Sequence, residues 1–96
     1  MTVGVCKVKV RLPENMTLKG KRQVLKSIIA QIRNKFNVSV AEVDDQDLWQ
    51  LATIGLSVVS NEGRFVDEVL NKVVDFICRG RFDIEVLDHE IEIIPV

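Results

Sequence analysis

The 96-residue sequence contains no tyrosine, one tryptophan, one histidine, two cysteines and two prolines. Each shortage closes a class of explanation. His89 has no serine, cysteine or carboxylate in a recognisable relation to it, so neither a hydrolytic triad nor a histidine-based zinc site has support. Cys6 and Cys78 stand far apart with no Cys-x-x-Cys spacing, which reads as two buried small apolar residues in a reducing compartment. No apolar run approaches the roughly 20 residues that cross a bilayer. The opening "MTVGVCKVKV" alternates where a signal peptide carries an apolar block, so the expectation is a cytoplasmic protein without a membrane partner. Neither a Gly-x-x-x-x-Gly-Lys loop nor Gly-x-Gly-x-x-Gly is present, and no cofactor is expected.

What remains has the make-up of an ordinary folded chain, 47% hydrophobic and 28% charged. At this length one domain, residues 1–96, buries roughly two thirds of the unfolded surface without metal or disulfide. The net charge of −1 hides a segregation: residues 1–40 carry nine Lys/Arg against one acid, Glu14, while residues 41–96 carry four against thirteen Asp/Glu. Either the folded surface is dipolar, with nucleic acid or an acidic partner suited to its basic side, or the halves neutralise each other across neighbouring strands.

Hydrophobic periodicity divides the chain into six elements. "VGVCKVKVRL", residues 3–12, alternates with period two, Gly4, Cys6, Val8, Val10 and Leu12 on one face and Lys7, Lys9 and Arg11 on the other. Pro13 ends this strand, and Thr17 is suited to cap a helix running to about Phe36. Its Leu18, Leu25, Ile28, Ile29, Ile32 and Phe36 form one apolar stripe. Residues 37–43 and 48–60 read as a strand pair around the acidic "DDQD". Asn61 is placed to cap a second helix over 62–79, with Phe65, Val66, Val69, Leu70, Val73, Phe76 and Ile77 on one face and Gly80 as its C-cap. The last strand, "FDIEVLDHEIEIIP", changes phase at Val86 and Leu87, which predicts a bulge. The order strand, helix, strand, strand, helix, strand predicts an α+β, ferredoxin-like βαββαβ sandwich, a four-stranded antiparallel sheet with two helices on one face and the other face open.

"LPENMTLKGKRQVLKS", "NVSVAEVDDQDLWQLATIGLSVVSN" and the closing "VLDHEIEII" together resemble the YlxP-like domain-of-unknown-function family, small bacterial proteins with a ferredoxin-like fold. The resemblance covers about residues 3 to 93. This sequence departs from it at Gly20, where the family usually carries an acid. The resemblance implies no catalytic residue. It implies a role on the RNA side of translation, because members tend to be encoded among genes of translation and ribosome maturation.

Four features are candidates for function. Lys19, Arg22, Lys26 and Arg33 fall within about 60° of one another around the first helix and, with Lys21, make a basic nucleic-acid or anion site. Its competitor is a solvated face whose aliphatic stems cover apolar surface. Lys7, Lys9 and Arg11 are expected to pair with Asp83, Glu85, Asp88, Glu90 and Glu92 of the last strand. Asp44, Asp45 and Asp47 crowd one turn without a calcium-loop pattern, so no metal is expected there. Trp49 either closes one end of the core or anchors a partner. RNA-recognition domains stack bases on aromatics of their central strands; the comparable strand here reads "LATIGLSV", so any RNA would be held through phosphates and shape. The expectation is a non-enzymatic module that contacts structured RNA or the ribosome. The alternative is a homo-oligomer formed through the open sheet face, with room for a small ligand between subunits.

Overall fold

A computed structural model describes residues Met1 to Val96. Strand β1 (Thr2–Arg11) leads through a short loop into helix α1 (Leu18–Lys35); β2 (Ser39–Asp44) and β3 (Leu51–Ser60) follow, then helix α2 (Gly63–Arg79) and β4 (Glu85–Pro95). The antiparallel sheet has the order β2-β3-β1-β4. This is the ferredoxin-like arrangement, with each helix returning the chain across the same sheet face.

The alternation of β1 sends Cys6, Val8 and Val10 into the core, where they meet Ala52, Ile54, Leu56 and Val58 of β3. From above they are covered by Leu25, Ile28 and Ile32 of α1 and by Val66, Leu70, Val73, Val74 and Ile77 of α2. A Cβ at Gly4 would overlap Val66 Cγ1 and Leu70 Cδ1, so glycine there lets α2 approach the sheet closely. Phe65, expected on the buried face of α2, is exposed, and Val74 is buried instead. The expected bulge is present: Lys9 pairs with Asp88 and Val10 with Val86, leaving Leu87 as the extra residue. A second register shift, between Glu42 and Asp44, makes Val43 the extra residue of β2.

The helix ends are a mixed outcome. Thr17 Oγ1 accepts from Gly20 N–H at 2.9 Å, the cap expected from sequence. Asn61 does not cap α2: the N-cap position is Glu62, without a side-chain bond, and Ser60 Oγ accepts from its N–H at 3.2 Å. Gly80 ends α2 in extended backbone, its N–H donating to Phe76 O. A side chain at Gly80 would meet the Phe82 ring, which stacks edge-to-face on Phe76, and Phe76 in turn on Phe36. Cys6 is buried as expected, whereas Cys78 is exposed. Main-chain bonds between Met1 and Val96 (2.8 and 3.1 Å) tie the two ends of the chain together beside the sheet. No helix is long and apolar enough to cross a membrane.

Candidate functional site

The bases of β1 are not free. Arg11 grips Glu85 of β4 with Nε and Nη2, at 3.0 and 2.8 Å. Lys7 and Lys9 stand opposite Glu90 and Asp88 in the register, yet their ion pairs run the other way, across β3 to Asp44 (3.9 Å) and Asp45 (3.7 Å). Their register partners on β3 are Gly55 and Thr53. Two of the three pairings expected with the last strand are thus made with the far edge of the sheet. The acidic turn is correspondingly spent: Asp45 also accepts from the Thr53 hydroxyl at 2.9 Å, and among its carboxylates Asp47 alone has no cationic partner.

Lys21 departs furthest from its sequence assignment. It belongs to no surface ridge; its side chain is fully buried beneath the β2–β3 connection. The ammonium donates to the carbonyls of Asp45 (2.7 Å), Leu51 (3.1 Å) and Gln46 (3.3 Å), and Glu42 Oε2 lies 2.9 Å away. Three carbonyls thus match the three donors of the ammonium. The Glu42 oxygen meets the ammonium as a charge partner and has no hydrogen-bond donor aligned on it. Around α1, at about 100° per residue, Lys21 falls in the middle of the arc shared by Leu25, Ile28 and Ile32, and that phase was visible in the sequence.

This clasp and two amides set the shape of the loops above the sheet. Asp45 takes a left-handed backbone (φ 65°), which Asp tolerates better than most residues, and so aims its carbonyl at Lys21. Asn15 Nδ2 bridges the carbonyls of Thr17 (2.7 Å) and Trp49 (2.6 Å), and Gln50 Nε2 reaches back to Asn15 O at 3.1 Å. A Cβ at Gly20 would strike Asn15 Oδ1, so glycine at this position makes room for that bridge. The β2–β3 connection is in this way stitched to the first turn of α1. It presents Leu48 and Trp49 to solvent, 46% and 53% exposed, and the indole lines an open depression with Arg11 and Asp47. Trp49 does not close the core.

The other members of the basic set behave as a ridge. Lys19, Arg22, Lys26 and Arg33 are all exposed on α1 and take part in none of the ion pairs of the chain. Arg33 alone has a partner, donating to the Val40 carbonyl of the edge strand β2 at 3.0 Å, which places the ridge on the flank of α1 that borders that edge. The first turn of α1 holds no acid. No group of three His, Cys, Asp or Glu side chains is drawn together as metal donors. Burial pushes the Cys6 thiol up to about 11, so it stays protonated and unreactive.

A family profile described as "Protein of unknown function (DUF503)" matches residues 3–91. The uncharacterised protein YlxP of Bacillus subtilis (strain 168) is 43% identical over 61 residues, which are 64% of this chain and 66% of that protein, a little under two thirds of its length. Among solved structures, the C-terminal domain LarC2 of a cyclometallase involved in synthesis of the NPN cofactor of lactate racemase overlaps 97% of this chain and 56% of its own. Its TM-score is 0.40 at 6% identity, a likeness that carries no functional argument.

Proposed function

Because this chain belongs to the DUF503 family, whose function is unknown, its role has to be read from its own surface, and we propose that it is a non-enzymatic module that binds structured RNA, such as that of the ribosome, through the α1 ridge. The observation that carries this reading is a contrast in charge pairing. Of the thirteen Lys/Arg, Lys7, Lys9, Arg11, Lys21 and Arg79 have carboxylate partners; Lys35, Arg64, Lys72 and Arg81 have none and stand apart, while Lys19, Arg22, Lys26 and Arg33 have none and are gathered on one flank of one helix. Those four span about 21 Å along the axis at 1.5 Å per residue, enough to follow several phosphates. The helix N-terminus adds a positive end that no acid in the first turn offsets.

Fluorescence anisotropy with labelled ribosomal RNA fragments tests the proposal. Four phosphate contacts predict a slope of log affinity on log salt of about −3. Arg22→Glu with Lys26→Glu should weaken binding to every fragment and cut that slope by about half. Unchanged affinity in the double variant would refute it. A second reading, self-association through the open sheet face, is favoured by the shallow apolar depression that Val5, Ala41 and Val43 form over Gly55. Light scattering that reports a monomer at high micromolar concentration would dismiss it.

A further inference from the structure

The chain has one tryptophan, exposed on a loop that side-chain hydrogen bonds hold in place. That loop is tied to the rest of the fold by hydrogen bonds from two directions. Lys21 fixes the connection from below through three carbonyls, while Asn15 holds the Trp49 carbonyl and the Thr17 carbonyl with a single amide group. Thr17 is the N-cap of α1, and Lys19 and Arg22 follow within the next turn and a half. The Trp49 main chain therefore stands next to the end of the ridge where the helix is most positive, and its indole lines the adjoining depression with Arg11. Of the acids of this loop, Asp44 and Asp45 are paired with Lys7 and Lys9, which leaves Asp47, beside the indole and near Arg11, as the one without a cationic partner.

We propose that Trp49 is a stacking platform for an unpaired base of the RNA whose phosphates lie on the α1 ridge, so that the ligand is a strand with unstacked bases and not a continuous duplex. This rests on the ridge reading and adds its substrate class. An indole face accepts any base, at a gain that is lost when the ring is removed, whereas a base already stacked in a duplex has no face to offer. The absence of aromatics from the central strands moves the stacking position from the sheet to the loop above it.

Trp49 reports on its own contact, because no other indole emits. The parent, Trp49→Ala, Trp49→Phe and Arg22→Glu/Lys26→Glu proteins are titrated at low salt with a single-stranded oligouridylate of about twelve nucleotides, a blunt RNA hairpin of similar phosphate number, and inorganic polyphosphate. The expected result is binding of all three by the parent, with quenching of Trp49 emission by the single strand alone. Trp49→Ala then loses roughly 5- to 100-fold in affinity for the single strand and nothing for polyphosphate, and Trp49→Phe recovers most of the loss. Ridge reversal weakens all three ligands. If the single strand binds without quenching and Trp49→Ala binds it as the parent does, the platform is refuted while the ridge stands; that outcome assigns the exposed indole to a protein contact. If the parent binds none of the three, ridge and platform fall together.

Discussion

Replacing Lys21 with methionine, which keeps the stem and removes the ammonium, should be among the most damaging changes available at a single charged residue of this chain. The variant leaves the Glu42 carboxylate, 19% exposed, without its partner and removes the ammonium from the carbonyls of Gln46, Leu51 and Asp45, of which Asp45 keeps the Leu48 N–H. Removing one member of a buried pair costs about 3–5 kcal/mol, and partial access of water to Glu42 favours the lower figure. About 3 kcal/mol is a large share of the 5–15 kcal/mol that stabilises a typical domain, and corresponds to a fall in Tm of roughly 12–24 °C at this size. Urea unfolding followed by circular dichroism gives the stability, and the emission of Trp49 gives the state of the loop. Lys21→Met with Glu42→Gln separates the two contributions. If the lost charge pair dominates, the double variant returns to the level of Glu42→Gln alone; if the carbonyl clasp dominates, it remains about 2 kcal/mol below. A loss under about 1 kcal/mol in Lys21→Met, with Trp49 emission unchanged, would refute the account of the loop given above.

Thiol chemistry should distinguish the two cysteines: in the native protein Cys78 reacts with a disulfide reagent at the rate of an exposed thiol and Cys6 only on unfolding, and two fast-reacting thiols in the native state would contradict the buried position of Cys6. Since burial raises the Cys6 thiol from 9.0 to about 11, its share of stability is complete below pH 9 and is lost as the pH climbs through 11; unfolding free energies across that range should fall less steeply in Cys6→Ala. Gly4→Ala drives a methyl into Val66 and Leu70 and should cost about 1–3 kcal/mol by denaturant titration. Adding Val66→Ala should then cost less than it does in the parent, and simple additivity of the two would show that the helix shifts without resistance.

The elements whose burial follows a single period were legible from the sequence. β1 alternates and buries as it alternates, and even the bulge at Leu87 showed as a change of phase, because side-chain direction in a strand is fixed by count alone. Where the outcome depended on what lay opposite in space, the sequence was silent. Lys7 and Lys9 face acids on β4 in the register but pair with Asp44 at the end of β2 and Asp45 just beyond it, a choice that depends on side-chain placement across the sheet and not on the strand's own period. Cys78 follows Ile77 into a turn of α2 that points to solvent, so a residue type usually buried is exposed. Lys21 is the instructive case. Its position on the helix wheel marked it as buried, its chemistry marked it as exposed, and the position prevailed because the β2–β3 connection brings three carbonyls and the Glu42 carboxylate within reach of one ammonium.

The bonds between Met1 and Val96 have a practical corollary. Strand β1 begins where those two residues meet and ends, about 30 Å away at 3.3 Å per residue, beside Leu51 and the loop that carries Trp49. A tether, dye or solid support attached at either end of the chain therefore holds the molecule by the same pole and turns the indole and the first turn of α1 toward the bulk solution. The two ends are also near enough to be joined by a few residues, so that a ring-closed chain cut open elsewhere should keep the same sheet.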